Sequence, residues 1–227
     1  MLSTSHADCA FEGYFEEYDE RRLDLIAKFI PNDPVIFEAG GFDGEDTVRF
    51  ARLWPHSTII SFEANPLVFE KLLETTFGIP NIHCYNLAVN NFNGTAILHV
   101  CDANPGASSI LEASPLIPFH YYYQGPKIKV PCVVLDDWCR ENNIDHIDFM
   151  WLDIEGLEMQ VLKSSPKILE GIKVIYTETN FQKFRKDMTQ YQDLKNFLEA
   201  SGFNLLAHWY IPNWQGDAIF VRKELLK

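Results

Sequence analysis

Between residues 34 and 222, short apolar runs alternate with stretches whose apolar residues recur at three- and four-residue spacing. The first pattern suits buried strands and the second suits helices that cover a sheet. The runs at 35–37, 57–62, 82–89, 95–100, 127–134, 147–152 and 174–177 predict strands. Helical spacing predicts helices over 11–30, 135–142, 156–169 and 191–200, with two more opened by Asp46-Thr47 and by Asn65-Pro66. Pro31 ends the first, because the residue before a proline is steered away from helical backbone. The strands predicted at 203–210 and 218–221 are joined by a turn with no helix, so they form an antiparallel pair. Residues 102–126 hold four prolines and two glycines and read as an irregular insertion. Strands alternating with helices predict one α/β domain over 33–227, with residues 1–32 as a helical extension packed on it.

Composition narrows the partners. The chain has 227 residues, 47% of them hydrophobic and 14% aromatic, a globular balance. Nineteen basic residues against 32 acidic ones leave a net charge of −13, which argues against a nucleic-acid partner. The trio Lys183, Arg185 and Lys186 reads as a solvated surface. Five cysteines, odd in number and with no CxxC pair, point to reduced thiols and a cytoplasmic protein. The N-terminus lacks a signal-peptide pattern, and no apolar run is long enough to span a membrane. Oligomeric state is not legible.

The chemistry gathers where strands end. Val35 to Phe37 run into Gly40, Gly41 and Gly44, a glycine turn that lets backbone approach a ligand. Acids stand at four strand ends: Glu38, Glu63, Asp153 and Glu178. In an open parallel sheet that edge is the ligand crevice. Glu63 lies 19 residues beyond Gly44, where a carboxylate accepts the hydroxyls of a ribose. This much fits either a nicotinamide dinucleotide or S-adenosylmethionine. Glu38, ahead of the first glycine in E-x-G-x-x-x-G, suits the methionine ammonium. The closing strand pair and Asp153-Ile154-Glu155-Gly156 also favour S-adenosylmethionine over a nicotinamide-dependent oxidoreductase. A non-catalytic cofactor-binding protein is the third reading.

The segments VIFEAGGFDGEDT, SFEANPLVFEKL, LAVNNFNGTAIL and VVLDDWCRENNIDHIDFMWLDIEGLEMQVL, in that order, resemble the FkbM-type S-adenosylmethionine-dependent methyltransferases. The resemblance covers roughly residues 33–222. It implies a class I methyltransferase, Rossmann-like three-layer sandwich. Its seven-stranded, mostly parallel sheet would have order 3-2-1-4-5-7-6 and one antiparallel strand. It also implies O-methylation of a hydroxyl on a small metabolite or sugar. By this likeness Glu38, Gly40, Gly41 and Gly44 hold the methionine part, Glu63 the ribose, and Ala88, Val89 and Asn90 the adenine. Asp153 sits by the methionine amine or the acceptor, and Ser108 and Ser109 line the site. Phe42 departs from the family pattern, where a small polar residue is frequent.

A hydroxyl acceptor must lose a proton, usually to a positioned base. Asp153 and His208 are the assigned catalytic residues, with Glu155 and His120 also considered. Tyr122 and Glu178 are assigned to the acceptor, with Phe119, Tyr121, Tyr123 and Trp214 completing an aromatic wall. Mg²⁺ is the less favoured route to hydroxyl activation, and no residue is assigned as a metal ligand.

Overall fold

The computed structural model describes residues 11–13, 21–115 and 125–226. From the N-terminus come β1 (Phe11–Gly13), α1 (Arg21–Ala27), β2 (Val35–Ala39), α2 (Glu45–Leu53), β3 (Thr58–Phe62) and α3 (Pro66–Thr76). There follow β4 (Ile82–Tyr85), β5 (Ala88–Val89), β6 (Gly94–His99), β7 (Lys127–Val133), α4 (Leu135–Glu141) and β8 (Phe149–Leu152). The last third holds α5 (Glu158–Ser164), α6 (Pro166–Gly171), β9 (Val174–Asn180), α7 (Tyr191–Ala200), β10 (Phe203–Tyr210) and β11 (Gln215–Arg222).

The main sheet has the order β1-β10-β11-β9-β8-β2-β3-β4. The expected seven strands are therefore eight, because β1 adds a parallel edge strand beside β10. β11 is antiparallel to both β10 and β9, and the other ladders of this sheet are parallel. Side chains alternate across the central strands. Phe37, Met150 and Ile175 face a core completed by Trp138, Val161 and Leu198. Their neighbours Ile36, Phe149 and Val174 face a second core with Leu23, Ile26 and Phe50. Helices thus cover both faces, which is why the central strands read as unbroken apolar runs.

Four expected elements differ, each for a local reason. The helix predicted over 11–30 is a strand at Phe11–Gly13 and a short helix at Arg21–Ala27, with 14–20 outside the described residues. The strand predicted over 82–89 divides at Asn86. Its Nδ2 donates to the carbonyls of Glu63 and Ala64, and the chain turns away. β5 then joins β7 and β6 in a separate three-stranded sheet. The helix predicted over 156–169 breaks at Pro166, which opens α6. Asp136 caps that new start, accepting from the backbone N–H groups of Lys167 and Ile168. The last strand begins at Gln215, three residues earlier than predicted. Among the described residues, no helix is long and apolar enough to cross a membrane.

Candidate functional site

The carboxyl ends of β2, β3, β8 and β9 open into a cavity of about 460 Å³. Its floor is the β2–α2 turn, and its roof is the segment 104–110, which lies between β6 and β7 of the small sheet. Glu38, Gly40, Gly41, Glu63, Ala88 and Val89 all line it. So do Ser108, Ser109, Asp153 and Glu178.

The glycines are there because protein crowds them. A Cβ at Gly40, where φ is +89°, would lie 2.0 Å from the Asp153 carbonyl oxygen. A Cβ at Gly41 would lie 2.2 Å from Ser61 Oγ. Small residues at these points let β2 and β8 meet closely and let Ser61 reach Glu38. Gly44 does not line the cavity; it starts α2 with φ +85°, and a Cβ there would press on Leu72 and Thr75 of α3.

Glu38 is 1% exposed, and its Oε2 accepts from Thr47 Oγ1 at 2.6 Å and Ser61 Oγ at 2.5 Å. Burial pushes its carboxyl up to about 7 despite those bonds. Glu63 accepts backbone N–H bonds from Asn65 at 2.7 Å and Phe42 at 3.0 Å, one on each oxygen. Burial raises it to about 6. A carboxylate has about four acceptor positions, so two bonds leave room for ribose hydroxyls.

The other end of the cavity is acidic. Asp153, Glu155 and Glu178 bring one carboxylate oxygen each within 4.8 Å of one another. Asp153 is exposed to the cavity but enclosed by surrounding protein. That burial and the Asp46 carboxylate raise it to about 6, against the pull of Arg22. Burial also lifts Glu155 to about 8 and Glu178 well above the usual carboxylate range. Glu158 and Asp217, just behind, are raised to about 7. Hard-oxygen clusters of this kind occur in cation sites. Here the Arg185 guanidinium already stands against one member, at 3.5 Å from Glu155 Oε2.

Several expected site residues lie elsewhere. His208 does not line the cavity. It is 1% exposed, with Nε2 2.9 Å from Thr179 Oγ1 and its ring among those of Tyr191, Tyr210 and Phe181. Burial lowers its pKa to about 4. Asn90 is buried in the small sheet, its N–H bonded to the Val133 carbonyl. Trp214 packs on Phe184 rather than on the cavity. Phe119, His120, Tyr121, Tyr122 and Tyr123 lie outside the described residues. Ser108 and Ser109 line the cavity while holding their own loop. Ser108 Oγ donates to the Pro105 carbonyl, and Ser109 Oγ donates to the Glu155 carbonyl at 3.0 Å.

Two residues carry more than their sequence context suggests. Phe42 holds a left-handed φ of +45° on the cavity rim, with its ring against Gly106 of the roof. Arg185, expected on a solvated surface, is fully buried. It donates to the carbonyls of Ala107 and Leu111 and meets Glu155, so it ties the roof to the acidic end. No periodicity marks it; the one hint is its place between Phe184 and Met188, after an acidic strand end.

The Methyltransferase FkbM domain family model matches residues 38–205. The 2-O-methyltransferase NoeI of Sinorhizobium fredii (strain NBRC 101917 / NGR234) is 28% identical over 200 residues, covering 85% of this chain and 81% of that protein. Among solved structures, the Methanococcus jannaschii fibrillarin pre-rRNA processing protein matches with a TM-score of 0.53 at 12% identity, over 98% of this chain and 86% of that one. M. capricolum TrmK in complex with S-adenosylhomocysteine matches with a TM-score of 0.51 at 13% identity, over 91% and 70% of the two chains. These likenesses give the fold, a class I methyltransferase, Rossmann-like one. The family match runs from Glu38 at the floor of the cavity to Leu205 in β10, and the chain belongs to the FkbM family of S-adenosylmethionine-dependent methyltransferases.

Proposed function

We propose that the chain methylates a hydroxyl oxygen on a small metabolite or sugar. The observation that carries this reading is the two-ended cavity, a pinned Glu63 carboxylate at one end and the acidic cluster at the other. Its volume lies in the range of pockets that enclose small ligands.

The residues present fit S-adenosylmethionine. Glu38 and the turn at Gly40 and Gly41 take the methionine part. Both hydrogen bonds to Glu38 fall on Oε2, which leaves Oε1 for an ammonium. Glu63 takes the ribose, and Ala88 and Val89 flank the adenine. Bound there, S-adenosylmethionine supplies a methyl group already activated on a sulfonium sulfur. The chain then has to align the acceptor, exclude water and receive a proton. Asp153 stands beside the reacting end, with Ser108, Ser109 and Glu178 on the acceptor side. Gly44, Asn90 and His208 serve packing instead.

A 2-O-methyltransferase relative supports an oxygen acceptor. A net charge of −13 supports a small molecule rather than a nucleic acid. Free thiols at Cys84, Cys132 and Cys139 suit a reducing, cytoplasmic setting. We take 33–227 as one catalytic domain with 1–32 as its extension, since α1 buries Leu23 and Ile26 in a core shared with β2. A nicotinamide-dependent oxidoreductase is not favoured, given the family match. Calorimetric titration with S-adenosylmethionine and with NAD tests this: the first binds and the second does not. Binding of NAD alone would overturn it.

A further inference from the structure

We propose that Glu155 is the group that receives the acceptor's proton, with Arg185 as its positioning residue. The proposal rests on the methyl-transfer reading of the cavity. In the transfer, the acceptor oxygen bonds to the methyl carbon and the carbon–sulfur bond breaks with its electron pair left on sulfur. The hydroxyl proton passes to a Glu155 carboxylate oxygen.

Three carboxylates within 4.8 Å cannot all carry charge, so the cluster shares protons. Their surroundings decide which member changes state. Glu178 is 6% exposed and faces Glu155, Asp153, Glu158 and Asp217, and among the described residues Asn180 Nδ2 donates to it at 3.3 Å. That keeps it protonated. Asp153 is raised by burial and by Asp46 but pulled back by Arg22, to about 6. Among the described residues, Glu155 is the member of the three with a cation in contact, Arg185, set against Asp153 and Glu158. Its proton therefore leaves and returns near the working range, where a general base is most effective.

Glu155 is also held still. Its φ is +55°, a left-handed conformation for a non-glycine residue, and Gly156 follows at +109°. Ser109 Oγ grips its carbonyl from the roof, and Thr189 N–H bonds the Gly156 carbonyl. Arg185 anchors the carboxylate from a fully buried position. The side chain keeps 18% exposure and lines the cavity. His208, the other obvious base, is a buried β10 residue enclosed by the rings of Phe181, Tyr191 and Tyr210.

A calorimetric experiment tests this without any acceptor. The full chain is titrated with S-adenosylmethionine and with S-adenosylhomocysteine in two buffers of different ionisation enthalpy. Both ligands carry the ammonium, and only the first carries the sulfonium charge. We expect the first to release more protons, Glu155→Gln to abolish the difference, and S-adenosylhomocysteine affinity to stay within about threefold. Arg185→Met should move the midpoint of release to higher pH, and Arg185→Lys should leave it near wild type. With methyl glycosides as acceptors, Glu155→Gln should lower kcat by roughly a hundredfold or more. Equal proton release by the two ligands, a difference that survives Glu155→Gln, an unchanged kcat, or release that requires added Mg²⁺ would each overturn the proposal. Failure of both ligands to bind wild-type protein would instead overturn the underlying cofactor reading.

Discussion

The backbone N–H of Phe42 donates to Glu63 Oε2 at 3.0 Å, joining the β2–α2 turn to the end of β3. One carboxylate thus fixes a turn that has a left-handed, bulky residue at φ +45° and still faces the cavity. Glu63→Ala removes the acceptor for two backbone N–H groups together with the proposed ribose contact. Bonds to charged groups are worth about 1.5–3 kcal/mol. We expect the S-adenosylmethionine Kd to rise roughly ten- to a hundredfold, measured by calorimetry. Unchanged affinity would remove Glu63 from the ribose site.

Gly40 should answer differently from a glycine in open space. Gly40→Ala forces a Cβ against the Asp153 carbonyl at a φ of +89°. Overpacking costs about 1–3 kcal/mol and backbone strain about as much again. Gly78 has a similar φ of +78° with nothing within 4 Å of its would-be Cβ. Gly78→Ala should cost only about 1–2 kcal/mol, the left-handed penalty alone. Urea unfolding of both variants checks this, and equal losses would mean that Asp153 has room to shift.

These contacts show what the linear chain could and could not reveal. The central strands were legible because burial on both faces makes continuous apolar runs of Val35–Phe37 and of residues 147–152. Strand-end acids were legible because they interrupt those runs. Asn86 was not, since a side chain that caps two distant carbonyls leaves no mark on hydrophobic periodicity. Arg185 failed for the same reason: its burial is created by Ala107, Leu111 and Glu155, all at least thirty residues away. His208 misled because alternation along β10 places it in the strand correctly but does not say which face holds the cavity.

The raised carboxyls make stability depend on pH with a definite sign. Glu38 moves from its ordinary 4.5 to about 7 on folding, so the folded state holds its proton more tightly than the unfolded chain. Its contribution is fully present below 4.5 and lost as pH rises through about 7. Glu158, Glu155 and Asp217 shift the same way, the last two through about 8 and about 7. The ligand-free protein should therefore melt at higher temperature near pH 5.5 than near pH 8. S-adenosylmethionine, with its two positive charges, should reduce or reverse that slope. Glu38→Gln should flatten part of it. A melting temperature that climbs steadily from pH 5.5 to 8 without ligand would contradict the assignment.

Arg185 should matter to the roof as much as to the acid beside it. Its guanidinium donates to the carbonyls of Ala107 and Leu111 from a site with no exposure. The backbone next to it is stitched to the same segment, with Ser114 N–H on the Phe184 carbonyl and Lys186 N–H on the Glu112 carbonyl, both at 2.8 Å. Arg185→Ala leaves Glu155 without its cation and takes a donor from the buried Ala107 and half-buried Leu111 carbonyls. Breaking a buried pair in this way costs about 3–5 kcal/mol. Part of that loss should be local, because the backbone stitches remain and the roof is attached to the small sheet rather than to the main one. Amide exchange is expected to quicken over 105–114 while β2, β8 and β9 keep their protection. Arg185→Lys should restore part of the protection by returning a cation, though one amine cannot reach both carbonyls and the carboxylate together. Uniform loss of protection across the main sheet would show that Arg185 supports the whole domain and not the roof of the cavity.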